Sequence, residues 1–300
     1  MSISNYFNGG KMNQNFQFIK NYRDNNQLRQ SFNQLAMKTF GLNFEDWYQN
    51  GYWKEKYIPY SILHENEIVA NVSVNIMQFI FEGERKNYIQ LGTVMTDEKY
   101  REQGLAKRLI REIEKDYQDK TDGYYLFAND SVLDFYPKFG YEKAVEYQFE
   151  KEVSIQQEKS IIQLPMKNKK QWKVLEEAIE NSVPNSRLEM VNNTELIMFY
   201  VTKFMQDNVY YNERQDAYVI AEIEEGRLFV HNVFSKSKVD IDEMIHSFGS
   251  EVRHVVLGFT AIDNRDYDVI EVREEDTTLF IKGISDFNKS KSMFPTLSHA

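Results

Sequence analysis

The first half of the chain shows two hydrophobic periods, one of about two residues and one of about 3.6, which are typical of strands and helices respectively. The elements predicted from this pattern are, in order, a strand at 16–21, helices at 26–40 and 44–52, a hairpin of strands at 57–63 and 68–81, and a strand at 88–96. Gly41 predicts the end of the first helix, because glycine readily adopts the left-handed conformation of a helix terminus. Glu65 and Asn66 predict the hairpin turn.

An amphipathic helix is predicted after the strand at 88–96. From Leu105 to Tyr117, apolar residues recur at helical spacing, and charged residues occupy the opposite side. The elements predicted next are a buried strand at 124–128, a short helix at 132–139 and a closing strand at 144–150. Strand, helix and strand in this order imply a right-handed crossover within a mixed α/β sheet.

The second half of the chain has its own set of elements. A polar stretch after Val153 predicts a boundary, which divides the chain into domains at 1–152 and 153–300. The elements predicted for the second domain are helices at 171–181, 195–205 and 240–248, a hairpin of strands at 217–223 and 227–234, and strands at 252–260 and 278–281. Asp240 is a candidate cap for the third of these helices.

The composition indicates a soluble protein that suits a cationic partner. Lys and Arg number 36 against 46 Asp and Glu, and the net charge of −10 disfavours a nucleic-acid or anionic-membrane surface. The chain has no cysteine, and its five histidines show no metal-ligand spacing, so we expect no metal. The polar arm at 1–11 does not resemble a signal peptide, and no apolar run approaches the ~20 residues of a membrane helix. We therefore expect a cytoplasmic protein with no membrane or nucleic-acid partner.

The segment between the strand at 88–96 and the amphipathic helix is a candidate anion site. It reads Arg101-Glu102-Gln103-Gly104-Leu105-Ala106, and the basic pair Lys107-Arg108 follows. A turn at a helix N-terminus presents unbonded N–H groups and the positive end of the helix dipole, and both attract phosphate oxygens. Gly104 allows close approach of a ligand to the main chain because it has no Cβ. The alternative is a helix start whose charges are simply solvated.

This segment resembles the acyl-CoA signature of the GNAT (GCN5-related) family of N-acetyltransferases, Gln/Arg-x-x-Gly-x-Gly/Ala, with Arg101, Gly104 and Ala106 in its three defining places. Residues 135–141, Phe-Tyr-Pro-Lys-Phe-Gly-Tyr, are similar to the family's Phe-Tyr-x-x-x-Gly-Phe/Tyr motif and lie at the family's spacing. The resemblance implies an α/β (α+β) fold in which helices flank a mixed, mainly antiparallel sheet. By element order alone, residues 153–300 resemble a degenerate second copy without the CoA motif, which would make this a tandem type with two such domains.

The resemblance also implies roles for individual residues. The main chain at 94–96 would bind the pantetheine arm of acetyl-CoA as an added strand would, and the segment at 101–107 would bind its phosphates. The residues implied in cofactor binding are Val94, Met95, Thr96, Arg101, Glu102, Gln103, Gly104, Leu105, Ala106, Lys107 and Asn129. The side chains of Val94 and Thr96 could serve packing alone, and Asn129 could instead cap the helix that follows it.

Tyr136 is the residue that the resemblance implies in catalysis. When an amine attacks the acetyl carbon, the departing sulfur gains negative charge, which a phenol can stabilise or protonate. The alternative is a core tyrosine beside Phe135 and Phe139. We nominate no general base, because the predicted strand at 88–96 carries no carboxylate.

The resemblance implies an N-acetyltransferase that moves acetyl from acetyl-CoA to a primary amine by direct attack. The expected substrate partner is a small-molecule amine acceptor. The expected assembly is a homodimer. The alternative is a non-catalytic acyl-CoA-binding regulatory module. Four aromatic residues in the predicted acceptor region could line a pocket or fill a core, and these are Trp47, Tyr48, Tyr52 and Trp53.

Overall fold

A computed structural model describes residues 15–300 of the chain, so the predicted polar arm at 1–11 lies outside the described residues. Up to residue 128 the helices and strands are β1 (Gln17–Lys20), α1 (Asn26–Phe40), α2 (Glu45–Gln49), β2 (Tyr57–His64), β3 (Glu67–Phe81), β4 (Glu84–Thr96), α3 (Leu105–Tyr117) and β5 (Gly123–Ala128). From there they are β6 (Glu142–Lys143), β7 (Tyr147–Glu152), β8 (Ile162–Gln163), α4 (Lys169–Glu180), β9 (Leu188–Val191), α5 (Thr194–Lys203), β10 (Val209–Asn212), β11 (Ala217–Glu224), β12 (Arg227–Phe234), α6 (Ile241–His246), β13 (His254–Leu257), β14 (Asp268–Glu271) and β15 (Thr278–Lys282).

The chain forms two compact units. Unit 1 contains the residues up to Met77, Asn87–Leu126 and Ala300, and unit 2 contains Gln78–Lys86 and Phe127–His299. These units are groups of residues that contact one another in space, and they do not correspond to repeats in the sequence. The division at 152–153 into a cofactor-binding domain and a degenerate copy therefore stays a prediction.

Unit 1 is built on strands in the order β1-β2-β3-β4-β5. β1 pairs with β2 and β2 with β3 in antiparallel fashion, whereas β4 and β5 are parallel and are joined through α3. The first helix begins where Asn25 accepts the Leu28 N–H at 3.2 Å, and it ends at Gly41, which has φ +68°. The end at Gly41 was predicted from the sequence, whereas the Asn25 cap was not, although both are local capping chemistry.

Unit 2 contains a seven-stranded sheet in the order β14-β7-β13-β12-β11-β10-β8. Its pairs are antiparallel except for β12 and β13, which are parallel and joined through α6. Phe149, Val230 and Phe248 are among the fully buried side chains of its core. In the same unit β15 pairs with β6, and β9 pairs with residues 78–81 of β3.

The structure confirms the expected mixed α/β fold with mainly antiparallel strands. Two sequence predictions are wrong in detail. The helix predicted at 132–139 is replaced by two 3₁₀ turns, Asp130–Val132 and Tyr136–Phe139, because Pro137 lacks the N–H that a continuous helix would use there. The strand predicted at 144–150 begins at Tyr147 and pairs with β13 and β14, so it belongs to the seven-stranded sheet of unit 2 and not to the first sheet.

Candidate functional site

The start of α3 in unit 1 is open to solvent. Gly104 is its N-cap, with φ +73°, and no side chain caps this helix start within the described chain. The first helical hydrogen bond joins the Arg108 N–H to the Gly104 oxygen at 3.0 Å, so the N–H groups before it precede the helical ladder. Residues 101–104 are exposed, and a Cβ built on Gly104 would meet no atom within 4 Å. This turn can therefore admit an anion at the positive end of the helix dipole.

The side chains around this turn hold its shape. The Arg101 Nε donates to the Thr96 oxygen at 3.4 Å, and its guanidinium lies 3.8 Å from Glu98. Asp97 follows β4 directly and accepts a hydrogen bond from the Lys38 ammonium at 2.9 Å, which holds the pKa of the Asp97 carboxyl below its usual value. The Arg101 side chain is 60% exposed, so it remains available to a ligand.

β4 continues beyond its pairing with β5. The parallel pairs run from Tyr88 opposite Gly123 to Gln90 opposite Tyr125, and β4 then extends six residues further to Thr96. Within this extension Thr93 has φ +47°, which kinks the strand and re-aims the peptide groups that follow. Val94 and Thr96 are half-buried and Met95 is buried. The main chain of these three residues was predicted to bind the cofactor arm, whereas the kink before them was not predicted.

Gly92 precedes the kink and lies against the main chain of Ala300, which is part of unit 1. A Cβ at Gly92 would lie 2.7 Å from the Ala300 carbonyl carbon and 2.9 Å from the Asn75 Nδ2. Sequence reasoning missed this approach, although a glycine inside a strand is the signal that could have suggested it. Two hydrogen-bonding groups, the Ala300 oxygen and the Asn75 amide, thus flank β4 next to its kink.

Tyr136 lies in unit 2 and is the first residue of the 3₁₀ turn Tyr136–Phe139. The residue is buried, with the rings of Phe135 and Phe280 at 5.2 and 5.6 Å. Burial raises the pKa of its phenol to about 12, so the group stays protonated near neutral pH. A protonated phenol is the form that can donate a proton or a hydrogen bond.

Asn129 also lies in unit 2, where it caps the first 3₁₀ turn. Its side-chain oxygen accepts the Ser131 N–H at 3.1 Å and the Ser131 hydroxyl at 2.7 Å. The capping alternative raised from the sequence is thus present, on a 3₁₀ turn rather than on a helix. Asn129 is exposed, and its role toward a cofactor stays a prediction.

Three of the four aromatic residues named for an acceptor pocket belong to the core of unit 1. Trp47, Tyr52 and Trp53 are buried, and the two indole rings stack at 6.0 Å. Tyr48 is half-buried beneath the Arg29 guanidinium, 3.7 Å from its ring centroid. The core interpretation therefore fits these side chains better than a pocket lining.

Two kinds of feature are absent from residues 15–300. No group of three or more His, Asp or Glu side chains there is placed to hold a metal ion. In the same range, no helix combines the length and the apolar character that crossing a bilayer requires.

These features lie within a segment of the chain that matches a family model. Residues 25–141, which include α1, the kinked strand, the open helix start and Tyr136, match the model of the acetyltransferase (GNAT) family. No curated protein matches the sequence of the chain.

Solved structures share the fold across most of the chain. A protein from Enterococcus faecalis V583, described as a probable N-acyltransferase, gives a TM-score of 0.61 at 15% identity over 89% of this chain and 71% of that one. A GCN5-related N-acetyltransferase from Kribbella flavida gives 0.54 at 16% identity over 89% and 70%. Another such protein, from Anabaena variabilis, gives 0.55 at 17% identity over 89% and 72%. At these identities the likeness shows a common fold.

Proposed function

We propose that this chain, whose residues 25–141 match the model of the acetyltransferase (GNAT) family, transfers an acetyl group from acetyl-CoA to a primary amine. The observation that carries the proposal is the open start of α3, which follows the part of β4 that extends beyond its parallel pairing with β5. An uncapped helix start suits a diphosphate, and a kinked strand with redirected peptide groups suits an extended amide-containing arm.

The residues proposed to hold the acyl donor lie in two groups. Those at the helix start, Arg101 to Lys107, would take the phosphates through N–H groups and positive charge, and the main chain of 94–96 would pair with the pantetheine amides. The fit of the helix start rests on its space, since nothing lies within 4 Å of a Cβ built on Gly104. Asn129 is also proposed to bind the acyl donor, because its side-chain amide N–H groups are exposed.

The reaction proposed is direct attack. The amine nitrogen bonds to the acetyl carbon, the carbon–sulfur bond breaks, and the sulfur leaves with the electron pair and takes a proton from the Tyr136 phenol. The nitrogen releases its own proton to water, and the Tyr136 phenolate takes a proton back from water, so atoms and charge balance. The Ala300 oxygen beside Gly92 is an acceptor suited to hydrogen-bond the incoming amine.

Thiol release from acetyl-CoA, measured with a panel of primary amines, tests this proposal. Amine-dependent release supports it. If calorimetry shows tight binding of CoA but no amine in the panel causes thiol release from acetyl-CoA, the result would instead favour a non-catalytic acyl-CoA-binding regulatory module. Absence of CoA binding would overturn both.

Tyr136→Phe tests the role of the phenol. We expect kcat to fall by about 10- to 100-fold, the range of general acid catalysis, while the affinity for CoA is retained. The Tyr210→Phe variant is the matched control, because Tyr210 is a similarly buried tyrosine of the same unit that has no proposed role. Unchanged turnover in Tyr136→Phe would contradict the assignment.

A further inference from the structure

A chain of buried hydroxyl and amide groups crosses the sheet of unit 1 and ends at the kink in β4. Its members are Tyr22, Ser61, Asn71, Ser73, Tyr57 and Thr93, and every one but the half-buried Thr93 is buried. The contacts in order are Tyr22 to Ser61 at 2.7 Å, Ser61 to Asn71 at 2.8 Å, Asn71 to Ser73 at 2.9 Å, Ser73 to Tyr57 at 2.9 Å and Tyr57 to Thr93 at 2.7 Å.

The orientation of Asn71 determines the direction of the whole chain. Its Nδ2 lies 2.9 Å from the main-chain oxygen of Thr93. A carbonyl can only accept, so this atom must be the amide nitrogen and not the amide oxygen. The remaining N–H of the same group donates to Ser73, and the Asn71 oxygen accepts from Ser61.

The direction then propagates, because each hydroxyl has a single proton. Ser73 receives the Asn71 N–H and therefore gives its own proton to the Tyr57 oxygen. Burial raises the pKa of Tyr57, so its phenol is protonated, and its proton goes to the Thr93 Oγ1. Toward the other end, Ser61 donates to Asn71, and Tyr22 therefore donates to Ser61.

Thr93 is the last acceptor of this chain, and its own hydroxyl proton is not used within it. The residue also sits at φ +47°, a conformation that a β-branched residue adopts only under constraint from its surroundings. Asn71 and Tyr57 supply that constraint by bonding the Thr93 main-chain oxygen and Oγ1 respectively. The network thus presents a hydroxyl donor of defined direction at the point where β4 turns.

We propose that the Thr93 hydroxyl donates a hydrogen bond to the thioester carbonyl oxygen of the acyl donor, with Tyr57 and Asn71 as positioning residues. The inference rests on the proposed function, in which phosphates lie at the start of α3 and the pantetheine arm runs back along 96 to 94. The residue reached next is Thr93. A donor there suits a carbonyl oxygen, whose negative charge grows as the amine attacks.

Calorimetry with two ligands tests the proposal. Acetyl-CoA carries the carbonyl oxygen, whereas S-ethyl-CoA keeps the two carbons and the sulfur but lacks that oxygen. We expect Thr93→Val to reduce the preference for acetyl-CoA over S-ethyl-CoA by about 3- to 10-fold, the value of one neutral hydrogen bond, with little change in S-ethyl-CoA affinity. Thr93→Ser keeps the hydroxyl and should keep the preference.

Two tyrosines of this hydrogen-bonded chain provide matched variants. Tyr57→Phe removes the donor that orients Thr93 and should reduce the same preference by about 2- to 3-fold, a smaller share of one hydrogen bond. Tyr22→Phe removes a buried phenol at the far end, upstream of Asn71, and should leave the preference unchanged. A purely structural role would shift the affinities for both ligands equally.

The outcomes separate this inference from the proposed function. If neither ligand binds the wild-type chain, the proposed function fails. If both bind and Thr93→Val retains the wild-type preference, the Thr93 assignment is overturned while the proposed function stands. Should Thr93→Val fail to fold, an unchanged preference in Tyr57→Phe overturns the assignment in the same way.

Discussion

The two units each contain a strand, helix and strand in which the strands pair in parallel, β4-α3-β5 in unit 1 and β12-α6-β13 in unit 2. The helix starts differ. α3 begins at Gly104 without a side-chain cap, whereas the α6 cap, Asp240, accepts the Glu243 N–H through its carboxylate at 3.0 Å. Asp242 and Glu243 add two more negative charges to the first turn of α6. The start of α3 can therefore accept an external anion, whereas the start of α6 is already occupied by the Asp240 carboxylate.

The two units also differ in whether they bury acidic groups. On β2 and β3 of unit 1 the buried polar side chains are hydroxyls and amides, including Ser61, Asn71 and Ser73. Unit 2 also buries hydroxyls and amides, and in addition it buries the carboxyl groups of Glu146 and Glu189. Similar backbone connections thus acquire different chemistry from the side chains at the helix start. The capped start of α6 agrees with the expectation that residues 153–300 lack a CoA site, which stays a prediction.

The largest effect, on CoA affinity, is expected when the N-cap residue of α3 is replaced by aspartate, the N-cap residue of α6. Gly104→Asp places a carboxylate where the diphosphate is proposed to bind, and we expect CoA affinity to fall by about 100-fold through like-charge repulsion. Gly104→Asn is the control, since it has the same shape without the charge and both residues tolerate φ +73° better than most. Equal affinities of these two variants in calorimetry would contradict the anion site.

Glu146 in unit 2 should make stability depend on pH. Burial raises the pKa of its carboxyl from 4.5 to about 8, although the group accepts the Phe294 N–H at 2.7 Å. At pH 7 the folded chain thus holds a proton that the unfolded chain has released, so stability falls as pH rises between these two values.

The expected loss is about 1.4 kcal/mol for each pH unit near neutrality, and the dependence should end above about pH 8. Glu146→Gln keeps an acceptor for Phe294 but does not titrate, so its unfolding free energy in denaturant should lack this component. An identical pH slope in the variant and the wild type would show that Glu146 is not its source.

The smallest effect is expected at the α6 cap. Asp240→Ala removes the acceptor for the Glu243 N–H and should cost about 1 kcal/mol of stability, the usual value of such a cap. It should not create a second CoA site, because the two acidic residues of the first turn remain. Asp240→Ser keeps a capping oxygen and should recover most of the loss in thermal unfolding. A calorimetric stoichiometry of two CoA in Asp240→Ala would refute the proposed difference between the helix starts.

Much of the fold was predictable where the signals are local. α1 was predicted with its observed bounds, and Gly41 ends it as expected. The segment at Arg101 to Ala106 was identified as a helix start after a strand, and the structure has that arrangement. Its ligand stays a prediction, as does the role of Tyr136. The prediction failed at 132–139, where Pro137 outweighed an apolar pattern that otherwise suits a helix.

The amino-acid sequence by itself determined the positions of most helices and strands, the glycine at the α3 start and the family motifs, because these depend on residues a few places apart. Tertiary structure alone decided which sheet received β7, how Ala300 reached Gly92, and how the Thr93 hydroxyl is oriented. Each of these depends on groups far apart in sequence, such as Tyr57 and Thr93, which are 36 residues apart. Hydrophobic periodicity reports which face of an element is buried, but it carries no information on the partner that buries it.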